Sequence, residues 1–317
     1  MRALALCLLV AATATAQTPR PVVVAPGTSA SPADSALVVV VLTDGTRFTG
    51  RIVTETAEVL TLDTGSARIS VDTARIRSRE PFDGRMVDGR PVRTDPNRTR
   101  LLFAPTGRAI PDGSGYVADY QVFFPFVATG VGGGVTLAGG ISLFPTFEFQ
   151  LVYAAPKITV AEGASGSFAI GGIGVVPVGS AVDGDVFGVG LLYGVGTLGP
   201  SESAVSVGAG YGFAFGSDSG DSDGGVGVVM VGGERQLSGS VKLLSENYLF
   251  LTPSTRTACL FEGPCTTTTE TETTTMFSLG VRFFGEQLAA DVAAFVIPEL
   301  ADEGVPFLPW LGFAYNF

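Results

Sequence analysis

The chain has 317 residues, of which 46% are hydrophobic and 15% charged, with 43 glycines, a net charge of −11 and a mean hydropathy of +0.40. With only 19 Lys and Arg, a nucleic-acid partner is excluded, and the absence of any histidine excludes hydrolysis by a Ser–His pair and removes the commonest zinc ligand. The apolar content is high for a soluble domain. Yet beyond residue 16 no run reaches the ~18 uninterrupted apolar residues of a membrane helix, a texture that suits membrane strands of about 10 alternating residues.

Residues 1–16 are expected to be a signal peptide: Arg2 is the positive start, Leu4 to Ala12 the apolar core, and Ala14-Thr15-Ala16 a cleavage site before Gln17. Cys7 is badly placed for lipid attachment because bulky Leu6 precedes it. Export implies an oxidising compartment, so Cys259 and Cys265, six positions apart in CLFEGPC, are expected to form a small disulfide loop. Residues 17–35, rich in Pro, Ser, Ala and Thr, read as a linker. Residues 36–80 read as a small β domain, with Asp44-Gly45 as a hairpin turn and Gly50 and Asp63 to Ser66 as further breaks. The rhythm of this stretch resembles small Sm-like or SH3-like barrels. Residues 81–98 (PFDGRMVDGRPVRTDPNR) carry turn residues and Arg with no periodic apolar face, and read as a second linker.

From residue 99 to 317 the texture becomes period-two. Val205, Val207, Ala209, Tyr211, Phe213 and Phe215 share one face against Ser206, Gly208, Gly210, Gly212 and Ala214. The same pattern sets Phe187, Val189, Leu191, Tyr193 and Val195 against Gly188, Gly190, Gly194 and Gly196, and Phe277, Leu279, Val281 and Phe283 against Ser278, Gly280 and Arg282. A soluble sandwich needs a charged outer face. Here the second face is Gly, Ala and Ser, which predicts an all-β fold: an antiparallel transmembrane β-barrel of about 12 strands (10–14), preceded by the small β domain. Strands are expected near 99–105, 115–129, 133–144, 147–161, 166–178, 184–197, 203–216, 225–237, 240–252, 270–284, 287–298 and 306–317. Alternate connections are then short, as at Ser238-Gly239 and Gly285-Glu286, or long, as at SDSGDSDGG.

The last strand carries Leu311, Phe313, Tyr315 and Phe317 on every second position. This ending resembles the C-terminal signature of bacterial outer-membrane proteins. The resemblance implies insertion by the barrel-assembly machinery, outer-membrane lipid as the surroundings, and the N-terminal domain in the periplasm, where it could meet a periplasmic partner.

A cation facing lipid at mid-membrane costs about 2–4 kcal/mol, so Lys242, Glu246, Arg282 and Asp291 are expected to point into the lumen as a charge ladder, bracing the wall or selecting solutes. Asp218, Asp221 and Asp223 in a Gly-rich turn are a weak Ca²⁺ candidate without EF-hand spacing, read first as a solvated turn. GVGGG and GGIG lack the Lys-Ser/Thr of a phosphate loop. No catalytic residue and no cofactor are expected. The functional expectation is a passive pore or small-solute transporter; the alternatives are a non-conducting structural or adhesive surface barrel, or a soluble secreted β-rich binding protein.

Overall fold

The structure is a computed structural model that describes residues 36–146, 148–180, 187–216, 225–259 and 265–317. The export segment and Asp218, Asp221 and Asp223 lie outside the described residues.

The N-terminal unit is a five-stranded antiparallel sheet of β1 (Leu37–Leu42), β2 (Arg47–Glu55), β3 (Val59–Asp63), β4 (Arg68–Asp72) and β5 (Ile76–Pro81), in the order β4-β3-β2-β1-β5. Asp44-Gly45 makes its first hairpin: the Asp44 carboxylate accepts from the Thr46 amide at 2.9 Å, and Gly45 takes φ of 87°. One face buries Val40, Leu42, Leu60, Leu62 and Val71, a core separate from those of the barrel. Part of the expected second linker is also a hairpin, β6 (Gly84–Val87) with β7 (Arg90–Arg93). Its turn is Asp88-Gly89, with both residues at positive φ (49° and 72°), the two-residue type that matches strand twist.

The remaining strands are β8 (Gly115–Tyr120), β9 (Phe124–Gly132), β10 (Val135–Ile141), β11 (Gln150–Ala154), β12 (Lys157–Glu162), β13 (Gly166–Val178) and β14 (Phe187–Leu198). Then come β15 (Ser203–Gly216), β16 (Val226–Ser238), β17 (Val241–Cys259), β18 (Cys265–Phe284), β19 (Leu288–Val296), a short helix α1 (Pro298–Asp302) and β20 (Leu308–Asn316). Neighbours in sequence pair antiparallel, and β20 pairs with β8, so the sheet closes on itself. β11 and β12 both lie between β10 and β13 and form one wall strand, interrupted at Ala155-Pro156, where Pro has no N–H to give the ladder. The result is a closed antiparallel barrel of twelve strands.

The expected strand at 99–105 is not in the wall; residues 94–111 lie inside the barrel, and the wall begins at Gly115. The expected single strand at 115–129 is instead β8 and β9, joined by a turn at 121–123 with Gln121 and Val122 at positive φ. The connections at 133–134, 163–165, 199–202, 239–240 and 285–287 share one end of the barrel, with Phe317 and the β6–β7 hairpin. The longer connections and the β8–β9 turn share the other end.

The outer face is apolar all round, with Val117, Leu137, Ile158, Phe168, Leu192, Val207, Val231, Leu279, Phe283, Val292 and Phe313 exposed on ten different strands. On β14 the face assignment corrects the sequence reading. Val195 is buried, and Tyr193 packs against the interior cluster that contains it. The outward positions include Gly188 and Gly190 as well as Leu192, and a Cβ at the two glycines would meet the rings of Phe215 and Phe213 at 2.5 and 2.6 Å. Aromatic side chains of β15 lie over these glycines, so along this part of β14 the outer surface is supplied by the next strand. Alternation alone reports two faces; it does not say which is out.

Because the N-terminal core is separate, Leu60→Ala should lower that domain's stability by about 2–5 kcal/mol. Amide hydrogen exchange should rise across β1–β5 with no change in β13–β18.

Candidate functional site: a plugged lumen

Residues 94–111 enter the barrel from the short-turn end and fill its lower half. At the entrance Asn97 and Asn316 exchange side-chain amide hydrogen bonds at 3.0–3.1 Å. Leu101 and Leu102 are fully buried in the main interior cluster. Their seats are two wall glycines: a Cβ at Gly232 would lie 2.2 Å from Leu101 Cδ1, and one at Gly280 would lie 3.0 Å from Leu102 Cδ2. At Gly107 a Cβ would meet the Ser167 carbonyl oxygen at 2.6 Å, and the Gly107 amide donates to Thr197 Oγ1 at 3.0 Å. Small residues on the inner face thus let a second chain segment approach the wall.

The charged wall residues grip this segment. Lys242 and Arg282 are direct register partners on β17 and β18, and Arg282 and Asp291 are partners on β18 and β19, so the three lie abreast facing inward. All are at most 1% exposed. Arg282 donates to Asp291 from Nε at 2.6 Å, to Asp95 at 3.0 Å, and to the carbonyls of Asn97 and Leu101 at 2.9 and 2.5 Å. Lys242 donates to Asp95 at 2.8 Å and to Glu234 at 2.7 Å. Arg100 of the segment donates to Asp291 at 2.5 Å, and Arg108 donates to Glu234.

Glu246 stands apart from this cluster and forms no ion pair among the described residues. Its carboxylate accepts from the amides of Leu102, Phe103 and Ala104 at 2.9–3.1 Å and from Tyr248 Oη at 3.1 Å, a nest of donors from a turn of the segment. Lys157 complements it from another wall: its Nζ donates to the carbonyls of Thr106 and Arg108 at 2.9 and 2.7 Å. Burial pushes the Asp95 carboxyl upward, but Arg282 and Lys242 beside it dominate together and hold it below the usual carboxylate range.

Each of the four predicted wall charges therefore faces inward and touches the internal segment or a residue that does. Sequence reasoning missed Glu234, Lys157, Asp95, Arg100 and Arg108. Glu234 and Lys157 sit at inward positions of β16 and β12, which alternation could have flagged. Of the three segment residues, Asp95 lies in the stretch that reads as linker, Arg100 in the strand expected at 99–105, and Arg108 just beyond that strand. Cys259 and Cys265 are register partners at the tip of β17–β18. Leu311, Phe313, Tyr315 and Phe317 are all outward and exposed.

No family model and no curated protein matches the chain. Among solved structures it is similar to the translocator domain of the autotransporter NalP from Neisseria meningitidis, at 14% identity over 64% of this chain and 85% of that one, with a TM-score of 0.33. It is also similar to OmpT, an outer membrane protein of Vibrio cholerae, at 10% identity over 89% of this chain and 95% of that one, TM-score 0.33. A loop-deleted form of the same protein gives 9% identity, 89% and 97% coverage and a TM-score of 0.35.

Asp291→Ala strips both Arg100 and Arg282 of a carboxylate inside the barrel and should cost about 3–5 kcal/mol. Asp44→Ala breaks the exposed Asp44–Arg75 pair, worth at most ~1 kcal/mol, and the turn's hydrogen bond from the Thr46 amide, both outside the barrel. The temperature at which the folded band converts to the slow-migrating unfolded form on gels should fall clearly for the first and hold for the second. Gly232→Val should displace Leu101 and leave residues 94–111 open to protease in an otherwise folded barrel.

Proposed function

We propose that the chain is a bacterial outer-membrane β-barrel, without enzymatic activity, that is shut at rest by its own segment and passes small solutes when that segment moves. The observation that carries the membrane reading is the sorting of side chains: an apolar girdle on the outer face of the barrel, with Lys242, Glu246, Arg282 and Asp291 wholly inside. A soluble protein would carry the reverse arrangement. The exposed stripe of Leu311, Phe313, Tyr315 and Phe317 supports delivery by the barrel-assembly machinery. On that orientation the short turns and the Sm-like domain face the periplasm, where the domain would meet any periplasmic partner; the β6–β7 hairpin that follows it is tied to the barrel mouth by the Arg85–Glu202 and Arg93–Glu286 pairs, at 2.6 and 2.8 Å.

A permanently open passive pore is the weaker form of this reading, because residues 94–111 occupy the lumen. Transport fits better, since the segment is gripped mainly by hydrogen bonds and ion pairs, which can exchange for water, with Leu101, Leu102, Ala104 and Ile110 as its buried apolar side chains. The second reading, a non-conducting surface barrel, is favoured by the number of those bonds and by the long β17–β18 arm.

Planar-bilayer recordings separate the two. The wild-type chain is expected to be mostly silent, while Arg282→Ala and Gly232→Val produce discrete openings. Steady conductance by the wild type overturns the resting closure; silence of folded variants with a protease-accessible segment overturns transport in favour of the surface barrel.

A further inference from the structure

Above the internal segment, on the long-loop side, the lumen is not filled. A cavity of about 360 Å³ remains there, within the range of small-molecule sites. Its walls are largely aromatic: Tyr116, Tyr120, Phe126, Tyr153, Tyr193 and Trp310. Among the described residues its charged lining is Arg100 and Lys157, with no Asp or Glu.

The floor carries donors that the fold itself leaves without acceptors. Arg100, only 2% exposed, spends Nη1 on Asp291 and on the carbonyls of Leu101 and Leu102, but its Nε and Nη2 have no protein partner. Those two N–H groups form one edge of the guanidinium fork, the edge that takes a carboxylate in two parallel hydrogen bonds. Trp310 Nε1 is likewise buried and unpartnered, as is Thr136 Oγ1, and both residues line the same cavity. Charge points the same way. The linked cluster holds four cations, Arg100, Arg108, Lys242 and Arg282, against three carboxylates, Asp95, Glu234 and Asp291. Glu246 and Lys157 balance one another outside it. One positive charge is in excess, and Arg100 stands at the cavity floor.

We propose that this cavity is a binding site for a small monocarboxylate with an apolar, ring-sized body: the carboxylate sits on the Nε–Nη2 edge of Arg100 and the body lies among the aromatic rings. Binding requires only that the Arg100 side chain turn this edge to the cavity, not that the segment leave the lumen, so the site stands whether or not the barrel conducts.

Trp310 is the chain's only tryptophan, so its emission reports directly on the site. The full chain, folded in detergent micelles, is titrated with 3-phenylpropionate and with 3-phenylpropan-1-ol, which has the same body and no charge. The acid should give a saturable change in Trp310 emission, and the alcohol should bind at least about tenfold more weakly. Arg100→Lys keeps a cation beside Asp291 but loses the fork, and should weaken the acid about tenfold while leaving the alcohol unchanged. Ala138→Phe, which fills the cavity from β10, should abolish both responses in a barrel whose gel migration remains that of the folded form. The proposal is overturned if acid and alcohol bind alike, if the acid gives no saturable response in the folded wild-type chain, or if Ala138→Phe binds it undiminished.

Discussion

Three carboxylates and four cations sit linked together inside a closed wall of strands, and none can be left alone there. An ion removed from water loses several kcal/mol of hydration, returned only if opposite charges and hydrogen-bond donors surround it closely. Arg282 meets this demand with Asp95, Asp291 and two carbonyls. One of those partners, Asp291, belongs to the wall and the other three to the segment inside it. The wall charges thus require the segment as much as the segment requires the wall, and the lumen is better described as a core made of polar groups than as an empty bore.

Steric fit follows from the same requirement. A twelve-stranded barrel is wide enough to leave room beyond its own inward side chains. Small inward residues widen it further at Gly107's contact with Ser167, at Gly232 and at Gly280, where the backbone and leucines of the segment come close. On the opposite side of the sheet the large apolar residues cover the wall. Glycine richness, which in a soluble sheet would weaken packing, here serves two fits at once: inward to the segment, and outward on β14 to the rings of Phe213 and Phe215.

Much of the barrel was legible because period-two alternation survives any tertiary context: the long strands from β13 to β20 fall where the sequence places them. The inward direction of Lys242, Glu246, Arg282 and Asp291 was legible for a different reason, the cost of charge in hydrocarbon. What was not legible is what those charges hold. Asp95, Arg100 and Arg108 sit among Thr, Pro and Asn across the boundary between an expected linker and an expected strand, and a segment that folds only against a surrounding wall leaves no local pattern that says so. The strand expected at 99–105 failed on this point: Leu101 and Leu102 are apolar because they seat in the interior, not because they alternate in a sheet. On β14 the pattern was read correctly and its direction was not, since glycines roofed by neighbouring rings can face out.

The hairpin of β17 and β18 outruns both its neighbours. β16 stops pairing at Leu251 and β19 at Phe277, while β17 and β18 continue together to Cys259 and Cys265. The free part is a two-stranded ribbon whose sequence is mostly threonine, so a slip of two residues would keep every side chain on its face. A run of threonines does not by itself choose the alignment. Lys242 and Arg282, opposed deep in the interior and each committed to Asp95, do constrain it, so the alignment at the tip is tied to a match made at the far end of the same two strands.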